Sequence, residues 1–187
     1  SFTLIAVITL ALGIGANTAV FSLVDAFMLR LLPVKDPEQL VFVRAVSPEG
    51  RMNGSFPYGV FEQFRGRSSS FSGVFAYDAT RFSATAKGQP EMIWGEFVSG
   101  SYFDVLGVRP QLGTLIGKSD DEIVDGGGAR GAVAVLSHGF WMRQYGGQPG
   151  AIGSTIILNA RPFTIVGVTP RGFEGTEVGE SPEVFVA

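Results

Sequence analysis

A chain of 187 residues with 14 Lys and Arg against 17 Asp and Glu carries a formal charge of -3; one histidine and no cysteine exclude disulfides, thiolate-metal centres and histidine pairs. The acidic balance, without any basic stripe, excludes nucleic acid as a partner. Only 17% of residues are charged, below the roughly 25% of an ordinary globular domain, while Phe reaches 16 and Gly 26.

The first predicted element is a membrane-spanning helix. Residues 2–24 (FTLIAVITLALGIGANTAVFSLV) contain no charged side chain, and Thr3, Thr9, Asn17, Thr18 and Ser22 are their only polar groups. The run exceeds the roughly 20 residues that cross a hydrocarbon core about 30 Å thick. A buried core helix is usually shorter. A cleaved signal peptide would find its site near Val24, Asp25 and Ala26, but the apolar run is longer than the usual h-region of roughly 7 to 15 residues and no basic n-region is visible. The span is expected to reach about Leu29 as one helix, within a segment 1–32. Ala11, Gly15 and Ala19 recur at four-residue spacing on one face, and Gly13 and Asn17 are expected to flank it one step around. Small residues so placed let helix backbones approach closely in lipid, and an amide at mid-span depth seeks a partner, so a helical neighbour is implied.

Asp25 and Arg30 mark the exit into water, and residues 33–39, with Pro33, Asp36 and Pro37, read as a linker. Residues 40–46 (LVFVRAV) read as a strand. Ser55 and Pro57 open a helix through Phe61, Phe64 and Arg65 that breaks at Ser68. Residues 74–77, 82–86 and 92–98 are strand candidates, the last two joined by a turn at Lys87-Gly88-Gln89.

Two segments then share one design. Residues 97–98 lead into Ser99, a short helix through Tyr102, Phe103, Val105 and Leu106, and a Gly107 stop. Residues 133–136 lead into Ser137, a helix through Phe140, Trp141 and Tyr145, and a Gly146 stop. Both pair a Ser N-cap with a Gly in the left-handed C-terminal position. Between them residues 118–130 (KSDDEIVDGGGAR) are polar and Gly-rich, and are expected to stay solvated and mobile. Residues 155–158 and 163–168 flank Asn159-Ala160 as a β-hairpin. Residues 184–186 begin a strand where the chain stops, so the domain is expected to be incomplete at its C-terminus. The fold class is α+β: one N-terminal transmembrane helix followed by a mixed α/β domain.

Chemical motifs are near misses. Residues 113–119 (GTLIGKS) suggest a phosphate loop, but three residues separate the glycines where four are needed, and no clean strand precedes them. Asp120, Asp121, Glu122 and Asp125 lack the alternating spacing of a calcium loop. Ser137 and His138 are adjacent, so they do not face each other on a helix, and no carboxylate nearby in sequence orients the imidazole. No catalytic, cofactor or metal site is expected.

The string ALGIGANTAVFSLVDAFMLRLLP from Ala11, followed by Asp36-Pro37-Glu38-Gln39-Leu40-Val41, resembles the start of MacB/FtsX-type ABC-transporter permeases, in particular those without a fused ATPase. VSGSYFDVLGVRPQLGTL, AVLSHGFWMRQYGG and IGSTIILNARPFTIVGVTPRGFEG resemble the periplasmic core domain of that family. The resemblance spans nearly the whole chain and implies a first transmembrane helix, an extracytoplasmic domain and three further helices. It implies a porter-like part at 40–110, a loop at 111–131 and most of a sabre-like part at 132–187. It also implies residence in the bacterial inner membrane, pairing with a second permease subunit, a cytoplasmic ATP-binding subunit, contact with membrane lipid and a periplasmic adaptor. ATP-driven motion would pass to the extracytoplasmic domain by mechanotransmission, in efflux or in lipoprotein or peptide export. The usual Asn-Gly hairpin turn is Asn159-Ala160 here. The alternatives are a stand-alone membrane-tethered binding or sensing domain and, on His138 and scattered acids alone, an extracytoplasmic enzyme.

Overall fold

The computed structural model describes residues 2–24, 34–47, 49–50, 52–67, 69–121, 130–177, 179 and 181–187. The chain divides into two units, residues 1–32 and 33–187.

The first unit contains helix α1, Phe2–Val24. Its apolar side chains face outward all round, with Phe2 85% and Leu12 74% exposed. A helix apolar on every side and buried nowhere suits hydrocarbon rather than water. Thr9 and Thr18 turn their hydroxyls back onto the carbonyls of Ile5 and Ile14, at 2.9 and 2.8 Å, which satisfies them without a solvent partner. The expected continuation to Leu29 lies outside the described residues.

The second unit is built on one sheet. Short strands β1 (Ala45–Val46) and β2 (Met52–Asn53) form a separate ladder, followed by α2 (Tyr58–Arg67). Strands β3 (Tyr77–Thr85) and β4 (Glu91–Val98) make a hairpin paired from Tyr77↔Val98 to Ala84↔Glu91, its turn containing Gly88 at φ +106. Then come α3 (Tyr102–Leu106), β5 (Leu112–Gly113), β6 (Val133–Leu136), α4 (His138–Tyr145), β7 (Thr155–Leu158), β8 (Arg161–Val168) and β9 (Val184–Val186). The strand order is β5-β8-β6-β9-β4-β3-β7, and β7 pairs with β8 as well as β3. The sheet thus closes on itself, leaving no open edge between β3 and β8.

Alternation along the central strands sorts two cores to two faces. Ala134, Leu136, Val184, Val186, Phe82, Ile93, Ile156, Leu158 and Ile165 point inward, where α4 adds Phe140 and Tyr145. Val133, Val135 and Phe185 point outward onto α3, with Tyr102, Phe103, Leu106 and Phe173. Strands covered on both faces read as unbroken apolar runs, as VAVL and VFV do. Tyr102, Phe103, Phe173 and Phe185 stack mutually with centroids 5.0 to 6.4 Å apart, each such pair adding about 1 kcal/mol beyond burial.

Helix α4 is capped as expected: Ser137 Oγ accepts from the Phe140 N–H at 3.1 Å, and Gly146 closes the helix at φ +60. Helix α3 departs from the expected pattern at its start. Its N-cap position is Ser101, whose hydroxyl instead donates to the Val74 carbonyl at 2.7 Å, and Ser99 Oγ accepts from Ala76 N–H at 3.0 Å. Those two serines occupy the backbone groups of 74–76, so the strand expected there is absent until Tyr77, and β3 runs unbroken from there through the region expected to begin at 82. The expected strand at 40–46 shrinks to Ala45–Val46, because its partner β2 is two residues long. The hairpin at Asn159-Ala160 is present, with φ +48 and +63 at its two loop residues, the signature of a type I′ turn.

Candidate functional site

Each α1 residue advances the face by roughly 100°, so Gly13 and Asn17 lie roughly 160° from Gly15. Four-residue spacing sets Ala11, Gly15 and Ala19 in one row of α1. Gly13 and Asn17 instead border a shallow groove with Ala6 and Thr9. The expected single face is corrected to two opposed ones, and Asn17, the one side-chain amide of α1, lies on the second.

In the sheet domain, the stretch expected to be solvated holds a packed ion pair. Residues Lys118–Asp120 form a 3-10 turn, and the Asp120 side chain is fully buried. Arg130 grips both carboxylate oxygens, Nε at 2.8 Å from Oδ1 and Nη2 on Oδ2, while its other donors reach Thr114 Oγ1 at 2.7 Å and the Leu115 carbonyl at 3.1 Å. The Gly117 N–H donates to Asp120 Oδ2 at 2.8 Å. Burial pushes the carboxyl's pKa up, but the Arg130 and Gly117 hydrogen bonds outweigh it and hold Asp120 below its ordinary range. Residues 122–129 lie outside the described residues.

A second buried polar set was not legible in the sequence. Glu96, 1% exposed, accepts a hydrogen bond from the Tyr102 hydroxyl at 2.9 Å. Tyr77 donates to Glu177 Oε1 at 2.8 Å, which fastens the β8–β9 connection to β3. Gly175, at φ +83, sits so close that a Cβ there would approach Glu96 Oε1 to 3.0 Å. Burial, then the adjoining carboxylates, push the Tyr102 and Tyr77 hydroxyls above their ordinary pKa. Glu96 lies in a strand whose alternation predicts only a surface or core position; nothing local signals a buried carboxylate.

Among the described residues the arrangement is a framework of buried polar pairs. His138 stacks edge-on against Trp141, centroids 5.8 Å apart. Among the described residues, no group of three or more His, Asp or Glu could hold a metal. In the 113–119 stretch, Leu112 and Gly113 pair with β8, and the Gly117 N–H that a phosphate would need is taken by Asp120.

The family described as the MacB-like periplasmic core domain matches residues 3–187. No curated protein gives a match. Among solved structures, the extracellular domain of the noncanonic ABC-type transporter YknZ from Gram-positive bacteria is similar, with a TM-score of 0.54 and 18% identity over 70% of this chain and 62% of that one. The periplasmic region of MacB from Actinobacillus actinomycetemcomitans is similar at TM-score 0.52 and 18% identity, over 70% and 54% respectively. This likeness is one of fold, and the chain spans 62% and 54% of the length of those two solved domains.

Proposed function

Because the chain belongs to the family of MacB-like periplasmic core domains, the extracytoplasmic domains of ABC-transporter permeases, we propose that it is the anchor helix and core domain of a permease subunit that transmits ATP-driven motion without chemistry of its own. The observation that carries this reading is the order of its parts: all but the first residue of the charge-free helix Phe2–Val24 falls within the matched residues, ahead of a two-faced α+β body. A body packed on both faces of a closed sheet moves as one piece when its anchor is displaced.

In this reading the ATP-binding subunit is a separate cytoplasmic polypeptide and a second permease copy completes the assembly. Residues 40–110 contribute the porter-like part and 132–187 the sabre-like part, outside the inner membrane of a bacterium. The rows Ala11-Gly15-Ala19 and Gly13-Asn17 give α1 two sides on which helices can pack closely. The transport it serves is efflux, or lipoprotein or peptide export.

The test is a distance measurement in the membrane-embedded permease with its ATP-binding subunit. Arg171 is exposed and these 187 residues hold no cysteine, so in a permease and ATP-binding subunit otherwise cleared of cysteines Arg171→Cys carries a spin label cleanly. The distance between labels on two copies should change between nucleotide-free and ATP-trapped states. Distances that ignore nucleotide would overturn transmission, and the absence of any dipolar coupling would overturn pairing.

A further inference from the structure

Among the described residues, few groups hold helix α2 to its domain. Only Phe61 of its ten residues is buried. Arg65 Nη1 donates to Asp121 Oδ2 at 3.2 Å, and its guanidinium lies over the Phe61 ring at 5.3 Å. The Tyr58 hydroxyl lies in the field of the same carboxylate; burial, then Asp121, push its pKa up to about 12. Gly59 and Gly66 lie inside the helix and weaken it, and ten residues fall short of the roughly 12 to 15 that sustain an isolated helix in water. The order of α2 therefore depends on docking.

The two consecutive acids of the turn differ sharply. Asp120 is buried and locked to Arg130 and Gly117 within the sheet domain. Asp121, its side chain only 10% exposed, lies next to that fixed point and reaches to α2, where its partner Arg65 is 37% exposed. From this asymmetry we propose that α2 is a strap that undocks as a unit while the sheet stays folded, with Asp121 as its catch. A segment held by one buried apolar side chain and one half-buried ion pair opens before the core does.

Hydrogen exchange on the full chain in lipid nanodiscs tests this. In Asp121→Asn the amides of residues 58–67 should exchange at least about threefold faster, with β6 and β9 unchanged. Sodium chloride at about 1 M should speed the wild type part of the way toward the variant, since the pair is half-buried, and leave the variant unmoved. Phe61→Ala should speed the same segment at least about tenfold, again sparing β6. The proposal is overturned if Asp121→Asn leaves α2 exchange unchanged, or if α2 and β6 accelerate together in either variant.

Discussion

Asn159 and Ser83 exchange two hydrogen bonds: the Asn159 N–H donates to the Ser83 carbonyl at 2.9 Å, and the Ser83 N–H donates to Asn159 Oδ1 at 2.9 Å. One residue thus occupies the first left-handed position of the β7–β8 turn and continues the ladder to β3 that closes the sheet. Asn suits both tasks, since it tolerates positive φ and its amide reaches backbone.

Substitutions at the two turn positions should therefore have opposite signs. Asn159→Ala loses the side-chain bond and puts at φ +48 a residue that tolerates the left-handed region less well than Asn, at a cost of about 1–2 kcal/mol. Ala160→Gly relieves the Cβ at φ +63 and should stabilise by about 0.5 kcal/mol after the entropy of glycine in the unfolded chain is subtracted. Urea unfolding of the full chain in detergent, followed by circular dichroism, checks both.

The Asp120–Arg130 pair predicts an acid-sensitive component of stability. Asp120 titrates lower in the folded chain than in the unfolded one, so its contribution is present above the unfolded value of about 4 and is lost as pH falls through the lower folded value. The stability of Asp120→Asn should fall less steeply below pH of about 4 than that of the wild type. Arg130→Ala, which leaves a buried carboxylate with only Gly117 of its strong donors, should cost about 2–3 kcal/mol at neutral pH.

At the alkaline end the tyrosines set the slope. Tyr58, Tyr77, Tyr102 and Tyr145 are all raised, first by burial, and the first three also by nearby carboxylates. Their folded values lie above the unfolded one of about 10, so stability is fully present below that pH and declines as pH rises beyond it. Absorbance at the tyrosinate band should show little ionisation at pH of about 11 while the chain is folded, then a jump on unfolding. A smooth titration near the free value would contradict the buried environments.

Gly15→Leu and Gly13→Leu should each weaken cross-linking of α1 to a neighbouring helix, on opposite sides, with the sheet domain's unfolding midpoint unchanged. A bulky residue on a close-packed row holds backbones apart. Cysteine cross-links from Ala19 should respond to the first substitution and those from Asn17 to the second.

Elements carried by local signals were legible in advance: α1 by its unbroken apolar run, β6 and β9 by the runs that burial on both faces requires, α4 by Ser137 and Gly146, and the β7–β8 hairpin by Asn159-Ala160. What escaped depends on groups far apart in the chain. Ser99 and Ser101 take up the backbone of residues 74–76, which removes a strand that composition favours. Asp120 looks like loop acid until Arg130 folds back across it, and Glu96 looks like a surface carboxylate until Tyr102 and Gly175 cover it. The Gly13-Asn17 row was visible but misassigned to the Ala11-Gly15-Ala19 face, from which helix periodicity separates it.

The central claim is that α1 anchors a domain lying outside the cytoplasm, and side-specific labelling tests it most directly. These 187 residues hold no cysteine, so in a permease otherwise cleared of cysteines Arg171→Cys is a single exposed thiol. A membrane-impermeant maleimide should label it in intact cells, after permeabilisation of any outer membrane, as completely as in lysed cells. Labelling that appears only on lysis would place the domain in the cytoplasm and contradict the account.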